Sequence, residues 1–600
     1  MSQHDDRRHG LADAARGNDD HDERSPRVAY YSMEVAVEDR LPTYSGGLGV
    51  LAGDVLRAAA DLAVPMVGVT LLYNRGFFRQ TLDAEGLQHE APVPWRPGDL
   101  LEELVVRVGV QVGERRVLVR PWRLVLRGVD GGRVPVYFLD TDVQGNHPDD
   151  RRITDRLYLG DRSVRLAQEA VLGLGGVAVL ERLGHRIDRH HLNEGHAALV
   201  PLALLALRDG EAEWTRSAAD RLLTATQDDV ERVRGRCVFT THTPVPAGHD
   251  RFGSDVVAGV LGHDVGKALG KLDVLEEDGT LNMTLLALRS SSFVNAVSER
   301  HREVTCAMFP GARVEAVTNG VHGGTWAAPA TAELLDRRLP GWRRDATRLH
   351  YAGGLPVSEL RQMHARSKAD LAAEVRARTG ALLDVDAFTI GVARRVTAYK
   401  RNDLVLSEPE RLLEIARRVG PLQILYSGKA HPEDEPGKEM IRRINAVASQ
   451  LGGDVSVVYV PDYGMTLGRT LCGGCDLWLN TPERPHEASG TSGMKAALNA
   501  VPSLSTLDGW WIEGHLEGIT GWGVGPDDPD HYPAHDADAL YRALEHDVAP
   551  LYYRDPDGYA AVGRHALALN GPFFSAQRMV EEYVRRAYRM GEAVEPSGAG

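Results

Sequence analysis

The chain has 600 residues, 43% of them hydrophobic, with 69 basic and 84 acidic side chains and a net charge of −15. That length exceeds a single hydrophobic core and predicts two or more domains. The acidic balance argues against nucleic acid or a membrane surface as partner, but not against small anions, which local groups can hold.

No run approaches the roughly 18 apolar residues of a membrane-crossing helix. Residues 1–26, rich in Asp, His, Arg and Gly, lack the apolar core of a secretory signal and read as a disordered tail. Order begins at Arg27. Val28 to Met33 reads as a buried strand ending at Glu34. Gly46, Gly47 and Gly49 then precede a helix running to Leu62, a glycine-rich helix start that can bring bare amides close to an anion. Val64 to Tyr73 is a second buried strand. Between about 90 and 140 the pattern alternates, which predicts an antiparallel excursion inserted into an α/β domain. A long helical region follows from Thr154 to Leu183.

His191-Leu-Asn-Glu-Gly-His196 is expected as a polar turn after the next strand, facing a cleft at its carboxyl end. Its spacing is not that of a metalloprotease, so no metal is expected. Cys237 to Thr240 is a strand with His242 at its end, and Val314 to Val321 closes the first half. Residues 326–380 are helical and charged and contain the domain boundary.

The second half opens with the strand Ala387 to Ala393, which runs into Arg394, Arg395, Lys400 and Arg401. Four cations in eight residues after a buried strand read as an anion site, since arginine offers a bidentate fork and lysine a point charge. Strands Leu422 to Ser427 and Val455 to Val460 follow. Cys472-Gly-Gly-Cys475 has no second such pair and no paired histidine, so it reads as two small residues packing at a helix–strand turn. Few cysteines and no signal predict the cytoplasm.

A buried strand over Asp476 to Asn480 leads to Glu487-Ala-Ser489-Gly490-Thr491-Ser492-Gly493-Met-Lys495 and a helix. Such a helix start is a phosphate cradle. Its spacing is not that of a P-loop. Lys495 can neutralise a phosphate or bond an aldehyde cofactor. Trp510 and Trp511 suit core packing better than sugar stacking. From about Ala537 the chain is helical to its end.

The nine-residue string resembles the pyridoxal-phosphate attachment segment of the α-glucan phosphorylases. The glycine loop at 44–54 and the Arg395–Lys400 cluster match the same family in the same order, and the resemblance covers Arg27 to about Tyr588. It implies the glycosyltransferase-B architecture: an α/β chain with two Rossmann-like domains facing a cleft, 27–325 with the antiparallel insertion and 326–600 with the cofactor. The last helix would pack back on the first domain.

The resemblance further implies reversible transfer of a terminal glucose from an α-1,4-glucan to orthophosphate, with Lys495 carrying pyridoxal phosphate. Thr491, Ser492, Gly493, Arg394 and Tyr463 would surround the cofactor. Arg395 and the loop at Gly46, Gly47 and Leu48 would hold the substrate phosphate, with Lys400 between the two phosphates. His242, Asn319, Glu194, His196, Glu487, Ser489 and Gly490 would face the sugar. Glu194 stands where larger members carry aspartate, and Gly323-Gly324 departs from the common sequence. A short chain of this kind would lack the animal enzymes' control elements, and a homodimer would be usual.

A nucleotide-sugar transferase would account for the cations but not for Ser-Gly-Met-Lys. A hydrolase needs two carboxylates flanking the bond, and only Glu487 suggests itself. A silent glucan-binding protein would have no need of the charged groups.

Overall fold

The computed structural model describes residues 27–158, 161–208, 210–526 and 533–590; the tail expected over 1–26 lies outside them. The described residues form a mixed α/β protein around two largely parallel sheets. In the first, parallel strands run in the order Arg133–Asp140, Met66–Leu71, Val28–Ser32, Arg189–Asn193, Cys237–Thr240, Phe293–Ala296 and Glu315–Ala316. The central strands are continuous apolar runs because helices cover both faces.

The alternating stretch forms antiparallel strands, as expected, and they join the main sheet. Arg115–Arg127 pairs with Arg133–Asp140, which itself lies parallel to Met66–Leu71, so the hairpin widens the main sheet. His191 belongs to the strand Arg189–Asn193 rather than to the turn after it. Its ring is spent on Tyr588 (2.7 Å) and Thr240 (2.8 Å). The strand expected over 314–321 shrinks to Glu315–Ala316; Val317 N–H still donates to Ala296 O (3.1 Å) and Asn319 N–H to Val297 O (3.0 Å), and only at Val321 does the chain bond elsewhere. Val321 donates to Phe574 O, and Ala576 donates back to Val321 O, each at 2.9 Å. The helical stretch Arg162–Arg182 has the length and apolar content of a membrane span, but its apolar window is 89% buried in the core.

The second sheet is wholly parallel. Its strands along the chain are Phe388–Ala393, Leu422–Ser427, Val455–Tyr459, Leu477–Asn480, Ser503–Thr506 and Gly521–Val524, and across the sheet they lie in the order 3-2-1-4-5-6. That order reverses between Phe388–Ala393 and Leu477–Asn480, which leaves a crevice at their carboxyl ends. Cys472 and Cys475 are buried free thiols where the helix Met465–Gly474 turns into the next strand. Trp510 and Trp511 are core residues, with Phe574 edge-on to Trp510.

The halves are joined in several places. Helix Ala576–Tyr583 packs on helix Gly47–Asp61 through Ala576, Met579 and Val580. In the hairpin of Arg79–Leu82 and Gln88–Ala91, Gln80 donates to Gly428 O (2.8 Å) and Gln88 donates to Ala430 O (3.0 Å). Asp39 accepts from the N–H groups of Met465 (2.6 Å) and Thr466 (2.8 Å), so it caps a helix of the other half.

Candidate active site

The crevice of the second sheet is spanned by Arg394. Its Nε donates to Asn402 Oδ1 (2.7 Å), Nη1 to Asn480 Oδ1 (3.0 Å) and Nη2 to Thr481 Oγ1 (3.0 Å). Each partner is neutral. Burial pushes its pKa down to about 10, only partly offset by Glu487. A buried cation bonded to neutral acceptors is the setting in which an anionic ligand is most favoured.

The remaining cations divide. Arg401 is committed to Thr481 O, Pro482 O and Asp536, so it belongs to the scaffold. Lys400 pairs with Glu487, and burial of the ammonium is outweighed by that carboxylate, which holds its pKa above the ordinary value. Arg395 is solvent-accessible. The protein packed around its base opposes its charge, but Tyr399 first, then Tyr158 and Glu34 of the first half, keep its pKa raised.

The helix Thr491–Leu498 starts at Gly490, in the left-handed region (φ 93°), with no side chain capping it. Glycine is needed there on two counts, because a Cβ would also meet Trp510 Cδ1 at 3.2 Å. At Gly493 a Cβ would meet the same indole at 2.5 Å. Ser492 Oγ accepts from Trp478 Nε1 (3.1 Å). One turn in, Lys495 is 4% exposed and lies over the Trp326 ring. Tyr463 lies against Gly468 and beside Cys472, a neighbour it shares with Lys495.

The glycine loop of the first half is similar. Helix Gly47–Asp61 has no side-chain cap, and a Cβ on Gly46 or Gly47 would meet nothing within 4 Å. Gly49 differs, since it packs on Tyr44 and Glu34. Glu34 accepts from the N–H of Ser45 (2.5 Å) and of Gly46 (3.2 Å), and from Tyr158 OH (2.9 Å). The Gly46 amide is therefore engaged by the protein's own carboxylate, which leaves Gly47 and Leu48 as the open part of the loop.

At the strand ends of the first sheet, Glu194 holds a positive φ of 74°. Its carboxylate accepts from Gly195 N (2.9 Å), His242 N (2.8 Å) and Thr243 Oγ1 (2.9 Å). Three donors on one carboxylate make Glu194 the organiser of the His242 turn. His242 Nε2 donates to Asn193 Oδ1 (2.6 Å), which leaves Nδ1 bare. Burial, with His301, His191 and His196 nearby, pushes its pKa to about 3, so the ring is neutral.

His196 is held near 3 by burial first and Arg165 second, and its Nδ1 is buried without a partner. Asn319 Oδ1 and Ser489 Oγ are likewise buried and unpartnered. They approach one another because Asn319 N–H donates to Val297 O (3.0 Å) and the adjoining Ser298 donates to Ala488 O (2.7 Å). Unpaired buried polar atoms of this kind fit a ligand rich in hydroxyls.

Several residues of the site have no role in the sequence reading. Trp326, Asp508 and Tyr158 carry no local motif, and Asp54 and Asn193 lie inside strings read for their neighbours, so their own contacts come from distant segments. Asp508 accepts from Glu487 N (2.9 Å), and burial pushes its pKa up to about 7. The Gly323-Gly324 departure forms the one-turn helix Gly323–Trp326 that delivers Trp326 over Lys495. Among the described residues no cluster of His, Cys, Asp or Glu could hold a metal ion.

Comparison with known proteins agrees with this arrangement. The carbohydrate phosphorylase family model matches residues 249–517. The chain is 37% identical to the maltodextrin phosphorylase of Thermococcus litoralis, over 94% of this chain and 70% of that one. It is 36% identical to the glycogen phosphorylase of Mycobacterium tuberculosis over the same shares. It is 34% identical to that of Aquifex aeolicus, over 94% of this chain and 86% of the relative. Likeness at this level over 94% of the chain makes it a member of the carbohydrate phosphorylase family.

Proposed function

We propose that this enzyme is an α-glucan phosphorylase. It moves the terminal glucose of an α-1,4-glucan such as glycogen or maltodextrin to orthophosphate, giving α-glucose 1-phosphate with retention. The two sheets act as Rossmann-like domains, 27–325 and 326–600, facing a cleft in the glycosyltransferase-B manner; the strand order of the second sheet and the ligand loops at strand ends support this.

The observation that carries the reading is Lys495, a buried lysine one turn into an uncapped, glycine-started helix, with Arg394 bonded to neutral groups that include Asn480 at the end of the preceding strand. These groups fit pyridoxal phosphate: an amine for its aldehyde, helix amides at Thr491, Ser492 and Gly493 with the Arg394 cation for its phosphate, and Tyr463 beside the lysine. When bound, the cofactor's phosphate supplies the proton relay to the glycosidic oxygen.

The chain's own residues do the rest. Arg395, Lys400 and the open amides of Gly47 and Leu48 neutralise the attacking phosphate, and such preorganised charge is usually a large catalytic contribution. Neutral His242, with Glu194 fixing its turn, lines the glucose site. Asn319, His196 and Ser489 offer their unpaired atoms to sugar hydroxyls, and Glu487 accepts from them when Lys400 turns to phosphate.

The test is peptide mapping after borohydride reduction, followed by an assay of glucose 1-phosphate released from maltodextrin. A pyridoxyl adduct on Lys495, and its loss with activity in Lys495→Ala, is expected. An active enzyme with no adduct overturns the cofactor assignment, and a cofactor-loaded enzyme that releases no sugar phosphate overturns the reaction.

A further inference from the structure

Three buried residues from three segments meet at Lys495. Its ammonium lies 3.5 Å from the centroid of the Trp326 indole. The edge of that indole donates from Nε1 to both carboxylate oxygens of Asp54, each at 2.9 Å. Asp54 comes from the helix Gly47–Asp61 of the first half and Lys495 from the helix Thr491–Leu498 of the second. Exposures are 2% for Asp54, 1% for Trp326 and 4% for Lys495.

A cation is held by the electron-rich face of an indole. An N–H that donates to an anion polarises the ring and strengthens that hold, because linked polar contacts reinforce one another at low dielectric. The carboxylate therefore acts on the amine through the ring as well as through its own field.

We propose that Asp54, through Trp326, is a positioning residue that holds the Lys495 amine in place for the cofactor's aldehyde. This deepens the cofactor reading above and rests on it. When the amine condenses with the aldehyde, nitrogen bonds the carbonyl carbon, and the oxygen leaves as water with the two amine protons. Only the neutral amine begins that step.

Burial pushes the Lys495 amine below the ordinary lysine value, while Asp54 and Cys472 work against the fall. Burial raises Asp54 in turn, opposed by Lys495, His322 and the Trp326 N–H. The groups facing this pair are thus Cys472 from the helix Met465–Gly474 and His322 beside Trp326. Asp54 keeps the amine aimed and adjusts how much of it is neutral.

Two substitutions separate the charge from the geometry. Asp54→Asn keeps an acceptor for Trp326 Nε1 and removes the charge, whereas Trp326→Phe keeps a ring and removes the N–H. The full-length protein, freed of cofactor, is pulsed with acetic anhydride over a pH series, and the Lys495 peptide is quantified by mass spectrometry. A parallel series uses pyridoxal phosphate and borohydride.

The labelling midpoint of Lys495 should fall by about one pH unit in Asp54→Asn. It should move in the same direction in Trp326→Phe, with exposed Lys267 unchanged in both. An unmoved Lys495 midpoint in Asp54→Asn, in protein that melts like the parent, overturns the proposal. If Asp54→Asn does not fold, an unmoved midpoint in Trp326→Phe overturns it equally. Failure of the parent to form the borohydride-fixed adduct overturns the cofactor reading instead, and the acetylation midpoints still decide the role of Asp54.

Discussion

Asp508 sits behind Glu487 with both oxygens on backbone N–H groups, of Glu487 and of Gly509, each at 2.9 Å. Burial nonetheless lifts its pKa to about 7, with the Glu487 charge adding to the lift. A carboxyl raised in this way favours the fold while protonated. Its cost therefore grows from the ordinary carboxyl range near pH 4 up to about 7 and then stays constant. Infrared titration should show a protonated-carboxyl band lost with a midpoint of about 7, and Asp508→Ala should lack it. A band already gone at about pH 5 would show the group to be an ordinary surface-like acid.

At this scale the sequence is legible where chemistry is local. Lys495, Arg394 and the glycines stand in short strings whose backbone demands can be read directly, and their geometry follows. Glu194 shows the limit. Its position beside a strand end suggests a ligand contact, yet its three donors include two from the turn at His242 and Thr243, which only the strand pairing brings near. Asp54 is hidden for a related reason: within a helix it looks like a solvated acid, and its partner is Trp326, 272 residues on.

Among elements, most strands were foreseeable because buried parallel strands are short unbroken apolar runs. Leu422–Ser427 has the bounds the apolar run predicts. Val314 to Val321 is regular strand only over Glu315–Ala316: Val317 and Asn319 still donate to Ala296 O and Val297 O, and at Val321 a backbone neighbour from 574–576 takes over. Composition does not reveal which backbone will be that neighbour.

The helix Met465–Gly474 makes a similar point. Its own N-cap, Gly464, supplies no side chain, and Asp39 of the other half satisfies its first amides. Asp39→Ala should cost about 1 kcal/mol, the usual value of a lost cap. Hydrogen exchange should quicken at Met465 and Thr466 while the end of the helix is unchanged. Equal protection in parent and variant would mean that the cap contributes nothing in solution.

For the whole molecule, length alone indicated more than one core, but not how the parts are held together. The hairpin at 79–91 reaches across with two buried glutamines. Gln80 bonds Gly428 O and Gln88, and Gln88 also accepts from Ala430 N (3.0 Å). Polar side chains that read backbone atoms this way leave those atoms unsatisfied when removed, at about 1–3 kcal/mol for each buried group. Gln80→Ala with Gln88→Ala should therefore loosen the contact between the halves. Small-angle scattering should report a larger radius of gyration, and an unchanged radius would place the grip elsewhere.

The polypeptide passes from the first half to the second beyond Val321 and returns at Ser575, and at that point the two passages are stitched side by side by backbone hydrogen bonds. A joint with one thread can swivel. A joint with two threads pinned together bends about a single line and resists torsion. It also means that a protease cutting either thread leaves both lobes tethered.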